Sequence, residues 1–407
     1  SSLVVNGRAD LAGGLAFTPE QGFYRNGFSI TSDQWLQANA ITGGFTDVTT
    51  ALASPTLTST VIDNGQNGYT VSLNRAEDAY SQYADSRNGA AVGVALYSAA
   101  NQTAVGLQDL MVALDFSAAD GSGIRTALPQ LSGEAYASTM GVLIDDSAAT
   151  RSAVNNRLQQ AVGVAPSMAG VKNQTNTSDT SAWISVHNSW GKQSGNNEIA
   201  STKSTLNGFT LGIDTSVYDQ WRLGVLAGYS HSSVKVRGRD ASGSSDNYTL
   251  GAYAGSEWAV AGGALGLRSG LAYSWHDMDM KRSVAFVNFN DQLSADYKAG
   301  TFQVFGEVGY KLDVSPRTII EPYASLAYVH LRTDGFDEKG ENGAALAVKS
   351  STMDTTLSTL GIRAASNVEL GDLTVVARAD LGWRHAFGDV TPESTARFLA
   401  GSNSFVS

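Results

Sequence analysis

Cysteine is absent from all 407 residues. That excludes disulfides, metal–thiolate sites and thiol nucleophiles, while leaving an oxidising compartment open. Also missing is any apolar run of the roughly 18 residues a membrane helix needs. A soluble chain and a transmembrane β-barrel both satisfy that absence, because a barrel spreads its membrane signal over short alternating segments. Basic charge is scarce: 27 Lys plus Arg face 38 Asp plus Glu, a formal net charge of -11, so no nucleic-acid partner is expected. The opening Ser1-Ser2-Leu3 carries no basic, apolar and small-residue leader, and the chain is expected to be mature, processed or excised from a longer one. His187, His231, His276, His330 and His385 are scattered in or beside strand candidates, with no HExxH spacing. There is no G-x-S-x-G elbow, and Gly262-Gly263 lacks the strand-to-helix context of a phosphate loop. No metal, no cofactor and no turnover of an external substrate are expected.

What is present is alternation. Trp221, Leu223, Val225, Ala227 and Tyr229 share one face of a strand, against Arg222, Gly224, Gly228 and Ser230, with Leu226 the exception. Leu265, Leu267, Leu271, Tyr273 and Trp275 repeat this against Gly266, Arg268, Gly270, Ala272, Ser274 and His276. Period two alone signals a half-buried sheet, and a soluble β-sandwich would also show it. Long strands, aromatics near their ends and small or charged residues opposite the apolar face point to a mainly β fold, a transmembrane antiparallel barrel. Nine strand candidates follow Trp183, at about 183–190, 203–217, 221–237, 246–258, 263–279, 297–312, 318–333, 353–367 and 372–387. Short connections such as Asp219-Gln220 alternate with long ones at 280–296 and 334–352. Trp190, Tyr218, Trp221, Trp258, Trp275 and Tyr310 are girdle candidates. Asp214, Arg222, Arg268, Glu307, Glu321, Arg363, Arg378, Asp380 and Arg384 are expected in the lumen, where charges of both signs can pair. Glu307 and Glu321 fall on neighbouring strands, so at least one should face an Arg or a helix donor.

The chain ahead of these strands divides further. Residues 1–75 hold short β-branched runs separated by Gly13-Gly14, Gly43-Gly44 and Asn64-Gly65, a small β-domain or the last coils and cap of a β-helix. Leu3, Leu11, Leu15, Phe17, Trp35 and Phe45 are expected to cover its apolar stack. Residues 76–138 form a helical and linker region, with helices allowed near 75–98, 101–114 and 121–133. Leu107, Leu110, Met111 and Leu114 make a helical stripe there. Residues 139–162 read as one helix, and 163–181 as a loose linker. At about 1.5 Å per residue that helix approaches the thickness of a bilayer's hydrocarbon. Its Asp145, Asp146, Arg151, Asn155, Asn156, Arg157, Gln159 and Gln160 forbid lipid contact but suit a wet barrel interior.

In order along residues 125–400, several segments resemble the C-terminal part of the type Va autotransporters of Gram-negative bacteria. They include Leu131-Ser132-Gly133-Glu134-Ala135-Tyr136-Ala137-Ser138, Ala182-Trp183 through Ser189-Trp190-Gly191, Ala272-Tyr273-Ser274-Trp275-His276, and Glu321-Pro322-Tyr323-Ala324. The resemblance implies a twelve-strand barrel, with 139–181 as pore helix and linker and 182–407 as the translocator. Residues 1–75 more loosely resemble a passenger β-helix end and autochaperone cap at the cell surface. Trp383-Arg384-His385-Ala386-Phe387-Gly388 resembles strand nine, so three strands are expected beyond Ser407 and the sequence is read as truncated. The role implied is secretion and surface anchoring of the chain's own upstream passenger by a monomer in the outer membrane. Its partners would be outer-membrane lipids, the barrel assembly machinery and periplasmic chaperones. An adhesin or an enzyme whose active part lies upstream, and a diffusion porin, are the alternatives. Asn155-Asn156 resembles the self-processing site of one branch of the family, although the following Arg157-Leu158-Gln159-Gln160 departs from that branch. Two polar residues lining a wet helix face are the preferred account of the pair.

Overall fold

The computed structural model describes residues 2–65, 68–101, 105–162, 171–175, 180–196, 198–218, 221–315, 318–370 and 373–407. Most of the linker expected at 163–181, and the turn at Asp219-Gln220, lie outside the described residues.

The first 75 residues form seven short strands. β1 (Leu3–Leu11) pairs in parallel with β4 (Leu36–Gly43), and β2 (Gly14–Phe17) with β5 (Asp47–Thr50), after an intervening β3 (Phe28–Thr31). The registers Leu3↔Leu36 and Gly14↔Asp47 are both offset by 33 residues, the spacing of one coil laid on the next. β6 (Leu57–Gly65) and β7 (Gly68–Arg75) then turn antiparallel with β3. The buried apolar residues of this region are Leu36, Leu57, Tyr69, Val71 and Leu73. Leu11, Leu15, Phe17, Trp35 and Phe45 are only half-buried, and Leu3 is exposed at 60%. The expectation that Leu3 covers the stack is therefore corrected: it shares the parity of half-buried Val5 and Leu11, but at the first position of β1 its side chain stays uncovered. Of the four glycines expected at turns, Gly13 and Gly43 take positive φ, whereas Gly14 simply begins β2.

Helices follow: α1 (Ser32–Trp35) inside the β region, then α2 (Arg87–Ala100), α3 (Gln108–Asp115), α4 (Ser122–Leu131), α5 (Glu134–Asp146) and α6 (Ala148–Val162). Residues 75–86 do not form the α-helix expected and hold only a 3-10 turn at Ser81–Tyr83. Arg75 is still in β7, and the helix waits for Ser86, whose side chain accepts from the Gly89 N–H as an N-cap. The helix expected from 139 instead starts at Glu134, behind Gly133 in the left-handed region at φ 71, and is interrupted at Ser147. There the Ser147 Oγ turns back to the Ile144 carbonyl, while its own carbonyl accepts from Gln303 at 3.3 Å.

The main sheet runs in the order β19-β18-β15-β14-β13-β12-β11-β10-β9-β8. Its members are β8 (Val171–Thr175), β9 (Thr180–Gln193), β10 (Thr202–Val217), β11 (Trp221–Val236), β12 (Ala241–Val260), β13 (Gly263–Phe286), β14 (Phe289–Ser315), β15 (Thr318–Thr333), β18 (Ser351–Leu370) and β19 (Leu373–Gly388). Every pairing is antiparallel, and the sheet curls around α6 as a partial barrel. The long loop expected at 280–296 is absent: β13 and β14 stay paired up to Phe286↔Phe289, with Asn288 at φ 62 in the turn. The connection at 334–352 is also structured. β16 (Phe336–Asp337) and β17 (Leu346–Val348) join β20 (Thr395–Phe398) and β21 (Phe405–Val406) in a four-stranded sheet.

The long strands change character part-way along. On β13 the outward residues Leu271, Tyr273 and Trp275 are exposed and apolar, and the next ones outward are Asp277, Asp279 and Lys281. The concave side changes the opposite way, from Ser274 and His276 to buried Met278, Met280 and Val284. β14 mirrors this, with Thr301, Gln303 and Glu307 on one side of the crossover and Ala299, Ala295 and Leu293 on the other. The upper concave surface shares one apolar core with α2–α5, including Leu107, Leu110, Met111 and Leu114. Two buried ion pairs cross that core. Asp115 holds Arg75 and accepts from Tyr80 and Thr56, both at 2.6 Å. Glu338 holds Arg282 and accepts from Tyr136 and, at 2.7 Å, from the Leu346 N–H.

Candidate functional site

Below the crossover, α6 runs down the concave side of the sheet with three of its polar side chains answered by the wall, while the Gln160 amide is buried without a hydrogen-bond partner. Arg151 donates to Gln303 at 2.8 Å, Asn155 to Glu307 at 3.3 Å, and Arg157 twice to Asp214 at 2.7 and 2.8 Å. A small apolar seam of Val154 and Leu158 against Leu226, Tyr253 and Phe305 holds the helix between these contacts. Gly255 permits the approach, since a Cβ there would lie 2.8 Å from the Leu158 side chain.

Asp214 is the centre of one cluster. Besides Arg157 it accepts from Arg222 and, at 2.7 Å, from the Tyr253 hydroxyl, which itself accepts from the Trp183 indole at 2.5 Å. A second cluster spans β13, β14, β15, β18 and β19. Arg268 reaches Glu307 at 2.8 Å and Glu321 at 2.6 Å. Arg363 reaches Glu307 at 2.7 Å and Asp380 at 3.1 Å, and lies over the Tyr323 ring at 3.6 Å. Buried charges of this kind persist only where each has an opposite partner. Arg378 lines a cavity of about 310 Å³ with Asn156, Gln159, Glu321 and Arg363. Arg384 is exposed, within electrostatic range of Asp145 and Arg151. Asn155 Oδ1 is buried without a hydrogen-bond partner. Among the described residues no three His, Asp or Glu converge as a metal site.

The outward side is apolar between two aromatic levels. Near the tight-turn rim, Trp221 and Trp258 meet edge-to-face at 5.8 Å, and the Tyr310 hydroxyl donates to the Val260 carbonyl at 2.9 Å. Tyr218 is almost fully exposed. Toward the other rim lie Trp275 and Trp190, joined by Phe209, Tyr229, Tyr248, Phe302 and Tyr328. Sequence reasoning did not single out those five, nor Arg157, Tyr253 and Trp183 as partners of Asp214. Strand parity carried a signal for Trp183, which falls on the opposite face from Trp190. For Arg157 no periodicity could, because its helix is polar on several sides. No helix among the described residues is long and apolar enough to cross a membrane, a statement that leaves strands untouched.

Comparison with known proteins gives this architecture a family. The chain is 34% identical over 275 residues to an "Extracellular serine protease" of Serratia marcescens, an alignment covering 68% of this chain and 25% of that protein. The chain thus spans about a quarter of that relative's length. Among solved structures, the β-domain of the Bordetella autotransporter BrkA aligns with TM-score 0.41 and 23% identity, covering 54% of this chain and 83% of that one. The translocator domain of the autotransporter NalP from Neisseria meningitidis aligns with TM-score 0.39 and 16% identity, covering 64% and 95%. Residues 182–407, more than half of the sequence, match the autotransporter β-domain. The chain therefore belongs to the autotransporter family, whose β-domain is the outer-membrane barrel of type V secretion in Gram-negative bacteria.

Proposed function

We propose that this chain exports its own upstream passenger across the outer membrane and anchors it there, with α6 as the helix that fills the barrel. The observation that carries this reading is the pairing of α6 with the concave wall: Arg157 with Asp214, Asn155 with Glu307, Arg151 with Gln303. A sheet apolar outside and charged inside needs a polar filler, and spanning β-structure must close its edges. On this reading Asp214, Arg222, Arg268, Glu307, Glu321, Arg363, Arg378, Asp380 and Arg384 belong to the lumen. Trp190, Tyr218, Trp221, Trp258, Trp275 and Tyr310 belong to the girdles. On β13, ten residues separate Leu265, which opposes Tyr310, from Trp275. At ~3.4 Å per residue and a ~45° tilt that is ~24 Å, the height of a barrel's apolar band. Residues 1–75 would sit at the cell surface as the passenger's end, with insertion machinery and periplasmic chaperones acting before assembly.

Three quarters of the Serratia relative lie outside the alignment, so the activity in its name is not carried over to this chain's passenger. Self-processing at Asn155-Asn156 is a second reading, supported by the Asn155 amide donating to Glu307 at 3.3 Å. It predicts an amino terminus at Asn156 in the mature barrel. For the primary reading, conductance of the full-length protein in a planar bilayer should be small and should rise when 139–162 are deleted. Equal conductance in both forms would overturn it, and would favour a porin if both were large.

A further inference from the structure

Three lysines lie in one lateral row on the outward side of the sheet. Lys203 of β10 is directly opposed to Lys192 of β9 and to Lys235 of β11. All three are exposed, and none forms an ion pair among the described residues. Directly opposed side chains in antiparallel strands are about 5 Å apart at Cβ, and like charges so placed destabilise the sheet. The row is more unusual in a chain with a formal net charge of -11. Past Ser242 of β12 the row continues to Lys281 of β13, also exposed and without an ion pair among the described residues, whereas Lys298 pairs with Asp277 and Lys339 with Asp296.

Position along the strands says what the row faces. Lys192 lies two residues beyond Trp190, which is 77% exposed. Lys203 and Lys235 each lie six residues beyond an outward aromatic, Phe209 and Tyr229. On β10 and β11, Asn207, Thr205 and Ser233 with the His231–Asp246 pair come between the aromatics and the lysines, Thr205 and Ser233 bonding across the strands, whereas on β9 Trp190 directly precedes Lys192 on the outward face. A surface that passes from aromatic through small polar to cationic follows the order acyl chain, glycerol or sugar, phosphate. Resting on the outer-membrane reading above, we propose that Lys192, Lys203 and Lys235 form a binding site for the phosphates of a multiply phosphorylated lipid headgroup in the surface-facing leaflet. Three ammonium groups in a row match a headgroup with more than one phosphate, and a bound polyanion turns their mutual repulsion into attraction.

The test uses the full-length protein in detergent, comparing the parent with the Lys192→Gln/Lys203→Gln/Lys235→Gln variant and with Lys298→Gln, an exposed outward lysine of β14 outside the row and paired with Asp277. Native mass spectrometry would follow binding of a bisphosphorylated glycolipid, its dephosphorylated counterpart and inorganic phosphate. The triple variant should bind the bisphosphorylated lipid on the order of 100-fold more weakly, about fivefold per lysine, and Lys298→Gln should not change it. Without lipid, the triple variant should unfold at the same temperature as the parent or higher, which separates lost binding from lost folding. Undiminished binding by the triple variant overturns the site. So does equal parent affinity for the dephosphorylated lipid, which assigns binding to the aromatic belt. Inorganic phosphate binding as tightly as the lipid overturns the lipid as occupant. Failure of the translocator reading would appear separately, as unchanged conductance on removing α6.

Discussion

The two halves of the long strands solve opposite problems with one backbone pattern. Below the crossover at Trp275–His276 the concave side is charged and the convex side apolar; above it the concave side is apolar and the convex side charged. The same hairpin serves both, because a strand's two faces are chemically independent. Each half stores stability differently. The lower half relies on ion pairs such as Arg157–Asp214 and Arg268–Glu307 with a thin apolar seam. The upper half relies on a broad apolar core, with Arg75–Asp115 and Arg282–Glu338 as isolated pairs inside it.

The sharpest way to break the lower half is Asp214→Leu, which strands Arg157, Arg222 and the Tyr253 hydroxyl together. Removing one partner of a buried pair costs about 3–5 kcal/mol. The temperature at which the barrel loses its compact gel mobility should fall accordingly, and no shift would mean the cluster does not hold α6. Next in size, Leu271→Arg places a charge in the outward apolar band at a cost of about 2–4 kcal/mol. Asp279→Arg, on the same face eight residues along and outside any ion pair among the described residues, should stay within about 0.5 kcal/mol. Similar urea midpoints for these two variants in lipid would erase the crossover.

The smallest effect tests the upper half by pH. Burial, and then the Asp115 carboxylate at 2.6 Å, push the Tyr80 phenol well above its usual value. A raised folded-state value means the neutral phenol favours folding. That contribution is complete below pH ~10 and is lost as pH rises past it, by at most about 1.4 kcal/mol per pH unit. Between pH 9 and 11 the parent should lose about 1 kcal/mol more than Tyr80→Phe, read as the difference in unfolding midpoints.

Period two was readable wherever the outward side is greasy, so the boundaries of β10, β11 and β15 fall within a residue of those read from sequence. It failed beyond the crossover. Lys281, followed by Asn288, Asn290 and Asp291, resembles a loop to any reading that expects apolar residues to keep one phase. The serines and glycine at the start of β12 were hidden by the same logic. The charged residues of the concave side were recognisable as a set by strand parity. Their pairings were not, since Arg157 comes from a helix 57 residues before Asp214, and only packing decides which carboxylate it meets.

The crossover also imposes an order of events. The upper inner surface of the β13–β14 hairpin, with Met278, Met280, Val284 and Leu293, is adhesive until α2–α5 arrive to cover it. The lower inner surface can stand in water at every stage. A sheet that curls before its helices have docked therefore presents a sticky end at only one rim, and exposed surface of that kind invites aggregation. The hazard during assembly is confined to that rim and lasts until the helices and the four-stranded sheet have closed over it.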